Sequence, residues 1–345
     1  MGGDAGGRRV LRRREYDEDD VRVRPGKGSR PRTRLRPAHE AAVPGFVVAV
    51  DRGRYTVLTG RGIHETGPST VITAMKAREL GRKGIVVGDE VALVGDTSGK
   101  PDSLARIVRR EERRSMLRRS AEDYDEVERP VVANADQLVI VTALADPPPR
   151  PRMIDRLLVA AFDADIDPLL CLTKADLADP DELISLYEPL GVRHITVRRG
   201  GDLSELRDQL TGRVSVLVGH SGVGKSTLVN ALVPTAGRAV SHVNAVTGRG
   251  RHTSTSAVAL ELPDGGWIID TPGVRSFGLG HVEIDNVLVA FPDFNEAAVD
   301  CPKGCNHLGD GCALDRFVAE GHGDPARLVS LRRLLSSREG SPDDD

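Results

Sequence analysis

Gly219-His220-Ser221-Gly222-Val223-Gly224-Lys225-Ser226-Thr227 has the residue types and spacing of a loop that cradles nucleoside phosphates. Its glycines let successive backbone N–H groups turn inward around phosphate oxygens, and the start of a following helix adds favourable partial charge. Lys225 is placed to reach the β- and γ-phosphates, and the Ser226 hydroxyl to ligate Mg2+. Ahead of the loop, Val214 to Val218 is an apolar, β-branched run that predicts a buried strand; behind it, Leu228 to Leu232 predicts the first turns of a helix. The three together predict a nucleoside-triphosphate site.

A second constellation comes earlier in the chain. Thr173-Lys174-Ala175-Asp176 follows the apolar run Leu169-Leu170-Cys171-Leu172 and matches Asn/Thr-Lys-x-Asp. There the carboxylate accepts hydrogen bonds from guanine N1–H and the exocyclic amino group. Adenine offers neither donor, so a carboxylate built for them would be left unpaired. The lysine stem is expected to pack on the base while its ammonium braces the phosphate loop. A threonine hydroxyl has fewer hydrogen-bonding groups than the commoner asparagine amide, which predicts a weaker brace between the two loops.

Two segments follow the phosphate loop. Gly248 to Thr255 is polar and basic and fits a switch whose Thr253 hydroxyl completes the Mg2+ shell. Trp267-Ile268-Ile269-Asp270-Thr271-Pro272-Gly273 reads as a strand ending in Asp270, which can hold Mg2+ through water, with the Gly273 amide on the γ-phosphate. Val274 stands where many such enzymes keep a water-orienting Gln, which predicts slow turnover without a partner; His252 is the candidate to orient the water. A last cluster, Cys301-x3-Cys305-x-His307-x4-Cys312, offers four borderline-soft ligands and suits a closed tetrahedral Zn2+ site, structural rather than catalytic.

The elements that must position these groups follow from the rest of the pattern. Residues 1–42 mix Gly, Pro and eleven arginines around the acidic island Glu15 to Asp20 and predict a disordered tail, either an arm for nucleic-acid backbone or a merely solvating one. Residues 43–115 hold about five short β-like runs, among them Gly45 to Val50, Tyr55 to Thr59, Ile85 to Val94 and Leu104 to Val108. They predict a small barrel of the oligonucleotide-binding (OB) type. Arg109 to Arg114 with Arg118-Arg119 reads as a basic connector. Residues 116–290 turn to an α/β pattern: strands at Gln137–Ala143, 169–172 and 192–197, and helices at 153–162 and 180–190. Residues 291–345 carry the cysteine cluster and a helix started by Asp324-Pro325 that aligns Leu328, Leu331 and Leu335. No apolar run approaches the roughly 20 residues of a membrane span. The polar N-terminus is unlike a secretory signal, and four cysteines fit a reducing compartment, so a cytoplasmic monomer is expected.

The order of these motifs is informative. The base-reading loop precedes the phosphate loop, the reverse of ordinary small GTPases, which predicts a circularly permuted domain. From about residue 43 to 335 the chain resembles one family, the RsgA-type ribosome small-subunit-dependent GTPases. The resemblance rests on Arg113 to Arg119 at the barrel's end, Thr173 to Asp176, Gly219 to Thr227, Arg249 to Thr253, Asp270 to Arg275 and the Cys/Cys/His/Cys cluster, in that order. Thr173 departs from the family's usual Asn. The resemblance implies an OB-fold barrel, a permuted GTPase and a zinc domain. It also implies GTP or GDP with Mg2+, one structural Zn2+, and the small (30S) ribosomal subunit and its rRNA as partners, with ribosome-stimulated hydrolysis late in that subunit's maturation. Two rivals are an ATP-dependent kinase with the same phosphate loop and an RNA-binding assembly scaffold whose nucleotide site has lost turnover.

Overall fold

The computed structural model describes residues 39, 41–81, 84–119, 129–234, 257–271, 279, 282–309 and 311–337. The Arg-rich tail, His252, Thr253, Gly273 and Val274 therefore lie outside the described residues.

Five strands, β1 (Val43–Asp51), β2 (Arg54–Thr59), β3 (Thr70–Lys76), β4 (Glu90–Gly95) and β5 (Ala105–Arg110), run in the order β1-β2-β3-β5-β4. Pairing of β1 with β4 closes them into a barrel, and β3–β5 is its one parallel pair, an OB-like arrangement. Alternation sends Val47, Val57, Ile72, Leu93 and Ile107 into a separate small core. The apolar run from Ile85 is not one strand. Asp89 breaks it: its carboxylate accepts the Val86 N–H at 2.8 Å, forming a turn, and the ladder starts at Glu90. Nor is the basic connector a free charge run. Arg113 is bonded to Asp89 at 2.7 and 2.9 Å and Arg114 to Asp136 at 3.0 Å. Beyond them β6 (Met116–Arg119) pairs with β7 (Arg129–Ala133) as a two-stranded ribbon.

The second half is a sheet ordered β10-β9-β8-β11-β13-β12, in which only β12 is antiparallel to its neighbour. Its strands are β8 (Gln137–Ala143), β9 (Asp167–Thr173), β10 (Arg193–Val197), β11 (Val214–Val218), β12 (Val258–Glu261) and β13 (Trp267–Asp270). Both faces are covered, so β8 and β11 are buried at every position and β9 at all but its first. On one face Leu138, Ile140, Leu170, Leu172 and Val216 meet α1 (Pro151–Asp163). On the other Val139, Val141, Leu169 and Leu217 meet α3 (Ser204–Leu210) and α4 (Lys225–Leu232). Cys171 is a fully buried core residue whose thiol burial pushes up to about 12, so it is inert. Helix α2 (Asp181–Tyr187) continues as a 3-10 turn to Leu190.

Four C-terminal helices, α5 (Ile284–Val289), α6 (Pro292–Ala298), α7 (Ala313–Ala319) and α8 (Pro325–Ser337), share the core of the α1 face. Leu328, Leu331 and Leu335 of α8 are buried as the spacing predicts. Arg333 of α8 meets the buried Asp155 of α1 at 3.0 Å, and Arg156 of α1 donates to the Ser337 carbonyl at 2.7 Å. The barrel is joined to the sheet through the pair Ala49–Val258 between β1 and β12, and through Trp267, whose indole N–H donates to Ile63 O at 2.8 Å.

Candidate functional site

The parallel strands end along one edge of the sheet, where α/β folds hold ligands. Register sets Ala143, Thr173 and Val197 level across β8, β9 and β10, with Val218 of β11 and Asp270 of β13 ending at the same edge. The phosphate loop leaves β11 here. At Gly219 a Cβ would sit 2.3 Å from the Val141 carbonyl oxygen, so only glycine lets the loop hug β8. Gly224, at φ +93, turns the chain into α4. Val223 is buried and anchors the loop, while Ser221, Gly222, Ser226 and Thr227 are exposed along its outer side. The His220 ring nitrogen Nδ1 lies 2.8 Å from the Ser221 carbonyl oxygen.

The segment Thr173 to Asp176 sits beside this loop. The Thr173 hydroxyl is 2.6 Å from the Val223 carbonyl oxygen and 3.2 Å from that of Thr142. The brace between the loops is therefore made, by a shorter side chain than asparagine. Lys174, at φ +59, departs from expectation: its ammonium donates to the Asp146 carbonyl in the loop after β8 rather than to the phosphate loop. Ala175 N–H donates to Val197 O at 3.2 Å, and Arg199 N–H to Asp176 Oδ1 at 3.3 Å. The loop after β10 thus supplies a backbone donor to the exposed Asp176 carboxylate.

On the metal side Lys225 Nζ is paired with Asp270 Oδ1 and lies 3.4 Å from Thr271 O. Buried Thr271 donates its hydroxyl to Leu217 O at 2.9 Å, tying the end of β13 to β11. Sequence reasoning had passed over Thr271, because nothing in a Thr before Pro-Gly announces a buried hydrogen bond. The groups fit a magnesium nucleotide: a glycine-rich turn with the Lys225 ammonium for phosphates, the exposed Ser226 hydroxyl and the Asp270 carboxylate for the hard cation.

Cys301, Cys305, His307 and Cys312 come together with all four ligand atoms within 4.8 Å of one another. Cys301 Sγ, Cys312 Sγ and His307 Nδ1 are each 3.5 Å apart. Bonds of about 2.3 Å to sulfur and 2.0–2.1 Å to nitrogen give tetrahedral edges of about 3.5–3.8 Å, so these three atoms have the spacing of zinc ligands, with Cys305 close enough to be the fourth. Burial lowers the His307 pKa, favouring the neutral ring a metal needs. Burial, with Cys301 beside it, pushes the Cys312 thiol up to about 12; a divalent cation would offset that by stabilising the thiolate. Arg332 of α8 donates to the His307 carbonyl at 2.9 Å and pairs with Asp315 at 2.7 Å, binding the cluster to the last helix.

The RsgA GTPase family model matches residues 110–280. A small ribosomal subunit biogenesis GTPase RsgA of Pseudomonas aeruginosa is 43% identical over 263 residues, 73% of this chain and 76% of that protein. Its namesake from Azotobacter vinelandii is 40% identical over 263 residues, 73% and 75% of the two chains. The crystal structure of YjeQ from Thermotoga maritima superposes with TM-score 0.62 at 26% identity, covering 87% of this chain and 99% of its own. YloQ, described as a circularly permuted GTPase, superposes at 0.60 with 24% identity, covering 87% and 96%. With Gly219 to Thr227 following Thr173 to Asp176 in sequence and lying beside it at one sheet edge, this chain belongs to the RsgA GTPase family.

Proposed function

We propose that this chain hydrolyses GTP to GDP and phosphate on the small ribosomal subunit, during late maturation of that subunit. The bond from Thr173 to Val223 carries the reading, because it joins a guanine-selective carboxylate loop and a phosphate loop into one pocket. The name shared by the relatives supports the subunit as partner. Asp176 reads the base. Lys225 and the amides of 219–224 neutralise charge on the phosphoryl group as water attacks. Mg2+, when bound, would supply positive charge against the phosphates; Ser226 and Thr253 would hold it directly and Asp270 through water. Gly273 N–H contacts the γ-phosphate and His252 orients the water. Val274 has no polar atom for that task, so turnover is slow until the subunit positions these residues.

In this reading the chain divides near residues 42, 115 and 290, and the last part is organised by one structural Zn2+. The barrel serves rRNA. Arg54, Met75 and Arg106 are paired in register across β2, β3 and β5 and stand exposed on its outer face, two guanidinium groups flanking an apolar side chain. No described helix is long and apolar enough to cross a membrane, and a cytoplasmic monomer is the form we infer. Nucleotide competition and GTP turnover with and without small subunits test the proposal. GTP and GDP, not ATP, should displace a fluorescent GDP, and subunits should raise turnover. Equal competition by ATP favours a kinase, and subunit binding without turnover favours a scaffold.

A further inference from the structure

Lys225 is the first residue of α4 and Asp270 the last of β13, and their side chains, 14% and 30% exposed, form an ion pair. Neither end is loosely held. Asp270 is in register with Leu217 of β11, and the Thr271 hydroxyl ties the next residue to the same Leu217. The ammonium also faces the Thr271 carbonyl at 3.4 Å. In the reading above, phosphates take the ammonium and the magnesium shell takes the carboxylate. The pair therefore sets the two halves of the binding site against their ligands.

We infer that this pair is an internal latch: Asp270 competes with nucleotide phosphates for Lys225, and magnesium relieves the competition by drawing Asp270 away. The inference rests on the proposed GTPase site and adds a coupling to it. Phosphates that capture Lys225 release Asp270 for the cation, and a cation that captures Asp270 releases Lys225 for phosphates. Such coupling is reciprocal: magnesium must tighten the nucleotide by the factor by which the nucleotide tightens magnesium.

The test is GDP affinity measured by fluorescent-GDP displacement in excess EDTA, which reads binding without turnover. Asp270→Asn keeps the size of the side chain and removes its charge. It should bind GDP about fivefold more tightly than the wild type in EDTA, as expected for losing a partly exposed ion-pair competitor. It should also lose most of the further tightening that Mg2+ confers on the wild type. A Lys225→Met background separates the latch from simple repulsion between Asp270 and phosphate. With no ammonium to release, Asp270→Asn should change GDP affinity there by less than about twofold. Equal or weaker binding by Asp270→Asn in EDTA overturns the latch, as does an undiminished gain in the Lys225→Met background. Thermal unfolding and metal content establish that each variant is folded. Preference of the wild type for ADP over GDP would instead sink the guanine-nucleotide reading, an outcome these comparisons keep distinct.

Discussion

The hydroxyl of Thr173 lies 2.6 Å from the carbonyl oxygen of Val223, so the last residue of β9 is bonded to the middle of the phosphate loop. Both residues are buried, and the contact spans 50 residues of sequence. Asp176 is three residues further on, so a shift of the brace moves its carboxylate, the proposed base reader, relative to the phosphate loop.

Replacing Thr173 by Val keeps the shape and removes the donor, leaving the Val223 carbonyl short of a partner in a buried place. The loss should cost about 1–3 kcal/mol, divided between folding stability and nucleotide affinity. Denaturant unfolding and GDP titration read the two shares. Thr173→Ser should restore most of both, and an unaffected Thr173→Val would show that the brace is idle.

Asp176→Asn presents an amide donor where guanine presents N1–H and an amino group. GTP affinity should fall about a hundredfold or more, because two donors then face one another. Xanthine carries a carbonyl in place of that amino group, so xanthosine triphosphate should become the better ligand of the variant. Competition titrations decide it; unchanged guanine preference would remove Asp176 from base recognition.

The turn that enters β4 depends on Asp89, whose side chain is fully buried, and on Arg113, at 10% exposure, which ties the segment after β5 to it. Arg113 also donates to Gly84 O at 3.0 Å. Arg113→Ala strands a buried carboxylate and should destabilise the chain by about 3–5 kcal/mol. A midpoint of denaturant unfolding within experimental error of the wild type would contradict this.

The Cys3His cluster should hold one zinc per chain by elemental analysis, and chelation should lower the thermal midpoint. Cys305→Ser should lose the metal. Because Arg332 links the cluster to α8 and Arg333 links α8 to Asp155, metal loss should also expose α8 to limited proteolysis. Full zinc content in Cys305→Ser would exclude that residue as a ligand.

Asp155→Ala should loosen α8 without emptying the cluster. Removing the buried partner of Arg333 leaves the His307–Arg332 bond untouched, so zinc content should persist while the C-terminus becomes sensitive to protease. Zinc lost together with α8 protection would mean the two are one cooperative unit.

Residue type and spacing alone pointed to a phosphate loop, a guanine loop and a tetrahedral ligand set, and gave the order in which they follow one another. Each is a short run whose chemistry depends on neighbours a few positions away. The covered parallel sheet was equally legible, since β8, β9 and β11 are mostly apolar, with apolar residues on both faces. Strand limits were less so: Asp89 looks like one polar residue in an apolar run until its carboxylate is seen holding the turn. Only the tertiary structure decided where the long charged side chains turn. Lys174 reaches Asp146 across 28 residues, Lys225 reaches Asp270 across 45, and the connector's Arg113 and Arg114 reach Asp89 and Asp136 across 24 and 22. A flexible cation takes whichever acceptor the fold brings within reach, and no periodicity along the chain records which one that is.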